Sequence, residues 1–240
     1  MSVATLTRAE MATRLAGDRA DRAAFLREAA EEGLADAQAL YGQLLLDGDG
    51  VAADPVAAFG WFNRAGAQHH LMALNMVGRC YDQGWGVAID YPRAAACFQS
   101  AAESGLAEGM YNYATALTLG TGVAEDKVAA LAWFERAAAR DYAKAINFVG
   151  SFAEDGWAGP VDLAKAADCY ARAAAGGDFR GAFNHARMLA ERDRAAALEW
   201  IARAGEWGNQ RFLGQARAWL GESTLGVEGV AALERGAARC

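Results

Sequence analysis

The 240-residue sequence predicts an all-α protein, a solenoid of about six helix–turn–helix repeats. Three observations carry that expectation. A period of 36 residues runs through most of the chain, alanine is abundant with only three prolines to interrupt helices, and glycines recur at turn positions.

The register is set by Gly48, Gly84, Gly120 and Gly156. Two positions later come Gly50, Gly86 and Gly122, with Ala158 in the fourth copy; Val51, Val87 and Val123 follow, with Gly159 in the fourth. Asp54, Asp90, Asp126 and Asp162 keep step, and so do Ala58, Ala94, Ala130 and Ala166. Trp61-Phe62, Cys97-Phe98, Trp133-Phe134 and Cys169-Tyr170 share one position, and Gly42, Gly78, Ala114 and Gly150 another.

Each unit reads as helix, glycine-containing loop, helix. In the first helix Ala73, Val77-Gly78 and Tyr81 fall on one face; in the second, Ala94, Cys97-Phe98 and Ala101-Ala102 give the spacing of a buried stripe. Small residues at 78 and 94 let the two backbones approach while the aromatic fills the space between them. Gly84 and Gly86 suit a C-cap and a turn with positive φ. Asp54, Asp90 and Asp162 suit N-caps, with Pro55 and Pro92 inside the first turn.

The period predicts a single repeat domain with these segments: a half-repeat cap at 1–34, with a short first helix around Thr5 to Ala16; four full repeats at 35–179; a shortened repeat at 180–208; and a degenerate capping repeat at 209–240. In the shortened copy Glu191-Arg192-Asp193 runs almost directly into Ala197 and Trp200-Ile201, so the glycine loop is deleted. Degraded end copies suit an array whose end faces meet water.

The net charge is -7, with no Lys/Arg run, so a nucleic-acid partner is not expected. Mean hydropathy is -0.02 and no apolar run is long enough to span a bilayer, so no membrane insertion is expected. Arg8, Glu10 and Arg14 interrupt the apolar core that a secretory signal needs. Four cysteines (Cys80, Cys97, Cys169, Cys240) lack paired spacing, and Cys97 and Cys169 share one repeat position, which suggests buried thiols and a cytoplasmic protein.

At these residues the chain resembles the Sel1-like repeat family, a branch of the tetratricopeptide-like superfamily. Residues 73–105 carry its pattern: Ala73, Val77-Gly78, Tyr81, Gly84, Gly86-Val87, Asp90, Ala94, Cys97-Phe98, Ala101-Ala102, Gly105. The resemblance covers about residues 18–208. It implies a right-handed α/α superhelix whose first helices line a concave face, and an adaptor for other proteins, often bacterial. Some secreted relatives carry a disulfide in each repeat; the cysteine pairs for it are absent here.

If that geometry holds, the concave face comes from first-helix positions outside the structural pattern. Asn75, Tyr111, Asn147 and Phe183 then form one stripe, flanked by Arg79, Thr115, Lys144, Arg180 and Arg187. Asparagine both donates and accepts, which suits a peptide backbone, and the basic residues suit carboxylates. Free positions also become polar by default, so a merely solvated face fits the same pattern. Trp85 and Trp157 occupy the loop slot between the glycines; each is either a partner anchor or a ring folded over its own loop. The expected partner is a protein or peptide bound in the groove by a monomeric scaffold.

Enzyme chemistry is not expected, nor any cofactor or metal. His69-His70 lack further ligands at metal spacing, and His185 sits where other copies have Tyr or Val. Asp47-Gly48-Asp49-Gly50 lacks the third acid and closing Glu of a calcium loop. No phosphate loop, nucleophile elbow or Ser-x-x-Lys is present. The alternative is an accessory small-ligand or enzymatic protein with a pocket near the shortened fifth repeat, where the missing loop opens a gap.

Overall fold

The computed structural model describes residues 6–239 and consists, among these, of helices and turns with no strand. The first seven helices are α1 (Arg8–Leu15), α2 (Arg19–Glu31), α3 (Ala35–Asp47), α4 (Pro55–Ala67), α5 (Leu71–Gln83), α6 (Tyr91–Glu103) and α7 (Ala107–Leu119). The other seven are α8 (Lys127–Ala138), α9 (Ala143–Asp155), α10 (Leu163–Ala175), α11 (Phe179–Leu189), α12 (Arg194–Trp207), α13 (Gln210–Glu222) and α14 (Gly226–Ala237). They belong to two compact units, Met1–Asp126 and Lys127–Cys240. The all-α repeat reading is borne out. Thr5 and Cys240 lie outside the described residues.

The turn chemistry acts as the period requires. Gly48, Gly84, Gly120 and Gly156 end α3, α5, α7 and α9 in the left-handed region. Asp18, Asp54, Asp90, Asp162 and Asp193 each accept a hydrogen bond from the amide three residues on, at 2.9–3.0 Å, capping α2, α4, α6, α10 and α12. Each such cap stabilises its helix by about 1 kcal/mol.

Within a pair, the repeat glycine lies under the ring of the facing helix. A Cβ at Gly78 would stand 2.6 Å from the Phe98 ring, and one at Gly150 2.8 Å from that of Tyr170. The second helices spend an alanine face on packing: Ala58, Ala65, Ala101, Ala130, Ala137, Ala166 and Ala173 are fully enclosed, and Ala101 and Ala173 lie against Gly109 and Gly181 of the next first helix. Between pairs in the first unit, the second loop glycine meets backbone. Gly86, at φ 70°, has the Pro55 carbonyl where a Cβ would go.

The ends differ from the repeats between them. α1 has a capping box between Thr7 and Glu10. At the far end α12 and α14 cross closely at Gly205 and Gly236, with Leu225, Ala232 and Leu233 buried beside them. Arg194, just after the deleted loop, donates to the Thr224 carbonyl at 2.9 Å and pairs with Glu228 at 3.0 Å. The space that the shortened repeat leaves is thus taken by the start of α14.

Candidate interaction surfaces

In the first unit, the candidate residues lie on α5, α7 and the loop after α5. Asn75 is 3% exposed, and its Oδ1 accepts from Nδ2 of Asn112 on α7 at 2.8 Å. Arg79 is exposed and its guanidinium sits 4.8 Å from the centre of the Trp85 ring. A helix candidate and a loop candidate therefore form one cation–π pair, worth about 0.5–1 kcal/mol at such a site. Tyr111 and Thr115 are half-buried, and the Thr115 hydroxyl donates to the Tyr111 carbonyl at 2.9 Å. Between α3 and α5 runs an open groove of about 530 Å³ lined by Leu40, Gln43, Met72, Met76 and Arg79, with Leu40 and Met72 exposed. His70, at its edge, accepts from the Ala73 amide through Nδ1 at 3.0 Å and places Nε2 3.2 Å from Asp36; it is a helix cap.

In the second unit a longer network forms. Asn147 is buried and accepts from Nδ2 of Asn184 on α11 at 2.9 Å. Arg187 donates to Asn184 Oδ1 at 3.0 Å and to Glu154 Oε1 at 2.9 Å. The other Glu154 oxygen accepts from the Tyr170 hydroxyl at 2.6 Å. Burial, and then this bond to a carboxylate, hold the Tyr170 phenol well above its ordinary pKa. Phe183 is 9% exposed, edge-on to both Phe212 and Trp219 of α13 at 5.7 and 5.4 Å. Arg180 and Lys144 are exposed, and Arg180 lies over the Phe179 ring at 4.6 Å. The groove between α11 and α13, about 330 Å³, is lined by Arg180, Phe183, Asn184, Arg187, Phe212 and Trp219, among others. Trp157 packs edge-on to Phe152 at 5.2 Å yet stays 41% exposed.

One feature of the sequence reading needs correction. Asn75, Asn147 and Phe183 do not stand on an open stripe: their side chains turn toward the next first helix, where two are spent on asparagine–asparagine bonds and one on ring packing. Of the two readings open for Trp85, the folded one matches its position: it packs against Arg79 of the preceding helix and is half-buried. Arg79, Lys144, Arg180 and Trp157 are exposed, as expected of surface positions. Trp219 was missed because it lies beyond the last clear copy, where register is lost. Its signal is local: Phe212-Leu213, Ala216 and Leu220 make the buried stripe of α13, and Trp219 falls off it.

The described residues hold no group of three metal-ligating side chains. The Cys80 thiol is fully buried, and desolvation pushes it up to about 11; burial raises Cys97 and Cys169 as well. Such thiols are poor nucleophiles at neutral pH. His185 packs edge-on against Trp200 at 5.5 Å with its buried Nδ1 unpartnered, and burial lowers its pKa.

The Sel1 repeat family model matches residues 35–70, 71–106, 107–142, 143–178 and 184–209. The chain belongs to the Sel1 repeat family. Its fold is the α/α solenoid of that family. A Sel1 repeat protein from Oxalobacter formigenes superimposes with a TM-score of 0.79 at 25% identity, over 96% of this chain and 99% of that one. The protective antigen c5321 of uropathogenic Escherichia coli, a protein with the same fold, gives 0.66 at 26% identity over 92% of this chain; the match spans only 50% of the antigen. Immunity protein Pa5087 from Pseudomonas aeruginosa shares the fold at 15% identity, with a TM-score of 0.59 over 83% of this chain and 75% of that one. No curated protein sequence matches the chain. Sel1 repeats generally serve as scaffolds for protein–protein interaction, and the fold is typically non-enzymatic. Among the described residues no helix is long and apolar enough to cross a membrane.

Proposed function

We propose that this Sel1 repeat chain is a protein-interaction scaffold that takes a peptide or a partner domain on the first-helix faces of its repeats. The observation that carries the reading is the pair of open grooves on those faces, one in each unit. Leu40 and Met72 stand exposed in the first and Trp219 in the second. The second helices, by contrast, spend their alanine faces on packing. Exposed apolar side chains rimmed by polar ones are the anchors that partners use. A monomer in the cytoplasm is part of the reading, supported by free thiols at Cys80, Cys97 and Cys169.

The test is crosslinking and affinity capture from the source cells. One protein should be recovered in stoichiometric amount, and Leu40→Glu/Met72→Glu or Trp219→Ala should release it while helicity is kept. Capture of one protein that ignores both variants would move the interface off these faces. The alternative, a small-ligand protein at the shortened repeat, draws its support from the groove beside α11. A thermal-shift screen with metals, nucleotides and cell-wall fragments separates the two, because a large shift with one compound favours the ligand reading.

A further inference from the structure

We infer that the groove between α11 and α13 receives an acidic segment of a partner protein, anchored by one aromatic or large aliphatic side chain with a carboxylate beside it. The inference rests on the scaffold reading above and names the chemistry of the partner.

Charge is the first argument. The chain as a whole is acidic, at -7, yet α11 and α13 carry Arg180, Arg187, Arg211 and Arg217 against the single acid Glu222. The corresponding helices of the first unit have the opposite balance: α3, α5 and α7 carry Asp36, Asp47, Asp82 and Glu108 against Arg79. Of these four arginines Arg180 and Arg187 line the groove itself, and such local positive charge on an acidic protein selects its ligand by attraction.

The second argument is which charges are spent. Arg187 is held by Glu154 and Asn184, and Arg217 pairs with Glu234. Arg180 and Arg211 are exposed and form no ion pair among the described residues. Asp178 attracts Arg180, but it is buried and turned to the Gly181 amide that it caps. Arg180 therefore stands over Phe179 with its guanidinium edge available for a carboxylate.

The shape supplies the anchor. Phe183 and Phe212 form an apolar floor, and Trp219, 41% exposed with Arg187 5.6 Å from its ring centre, forms a wall. A volume of about 330 Å³ lies at the low end of ligand pockets and suits one bulky side chain with its backbone. Tryptophan and arginine are both enriched at binding hot spots.

The test is a phage-displayed random peptide selection on the full chain. Enriched sequences should place Asp or Glu beside an aromatic or aliphatic residue. Fluorescence anisotropy with one selected peptide should then show at least tenfold weaker binding to Arg180→Glu and to Trp219→Ala, and weaker binding as salt rises. A Gln/Asn version of the peptide should lose as much. Met72→Glu, in the other groove, should leave binding unchanged. Peptides without acids, or binding indifferent to Arg180→Glu and Trp219→Ala, overturn the inference. So does a selection that enriches nothing dependent on those two residues. A dimer in light scattering that Arg180→Glu dissolves also overturns it, since the occupant is then a second copy. Cellular capture that survives Arg180→Glu and Trp219→Ala but fails with Leu40→Glu/Met72→Glu sinks this inference and leaves the scaffold reading standing.

Discussion

The two units build different surroundings for the same asparagine pair. Asn75–Asn112 in the first and Asn147–Asn184 in the second are related by two full periods and bond in the same sense, at 2.8 and 2.9 Å. In the first unit the residues two periods before Glu154, Tyr170 and Arg187 are Asp82, Phe98 and Thr115. Phe98 has no hydroxyl to give, and Thr115 bonds within its own helix. In the second unit Tyr170, Glu154, Arg187 and Asn184 join in one chain of hydrogen bonds that fixes an arginine over a tryptophan. The asparagine bond is thus a shared joint between neighbouring first helices, and the network is an addition that positions a binding wall.

The largest expected effect breaks the addition. Glu154→Ala removes the carboxylate that the Tyr170 hydroxyl and the partly buried Arg187 share, leaving them only Ser151 and Asn184, and should destabilise the second unit by about 1–3 kcal/mol. Asp82, its counterpart, is half-buried but accepts from the side chain of its exposed neighbour Gln83, so Asp82→Ala should cost less, about 1 kcal/mol or below. Urea unfolding with hydrogen exchange assigns each loss to its unit; equal losses for the two variants would erase the distinction.

A smaller effect tests what is shared. Gly78→Ala and Gly150→Ala each drive a methyl into a ring, which costs about 1–3 kcal/mol and outweighs the roughly 0.5–1 kcal/mol that alanine gains over glycine in a helix. Gly60→Ala and Gly214→Ala meet open space, so there the gain should stand alone. Melting temperatures should therefore fall for the first two variants and rise for the second two.

The smallest effect is pH-dependent and belongs to the second unit only, where His185 replaces the Tyr113 found two periods earlier. Its lowered folded pKa means that the unfolded chain binds the proton first. Stability should be full above pH 6.5, the ordinary histidine value, and should decline as pH falls below it toward the folded pKa. His185→Phe should flatten that part of the profile, measured as melting temperature between pH 7.5 and 5. An unchanged slope would place the titration elsewhere.

The fold was legible because each repeat position has one structural duty that few residue types can perform. An aspartate caps, a glycine turns with positive φ, and a small residue lies under a ring. The surface was less legible. Offsets counted along one helix locate Asn75 and Asn147 on a free face only if the neighbouring first helix is forgotten, and that neighbour encloses them. Trp219 has the opposite problem: it is open, but the five-residue deletion in the preceding copy removes the register that would have aligned it.

The loop glycines carry a further consequence. In the first unit Gly50, Gly86 and Gly122 each press main chain against main chain, on Arg19, Pro55 and Tyr91 of the preceding pair. A joint made between backbones is blind to side chains. Units of this kind can be copied, spliced in or dropped without refitting the seam, and selection is left free to rewrite every outward residue. That separation of mortar from brick leaves the first-helix faces of the first unit free to carry the acids found there, with no change to the joints beneath them.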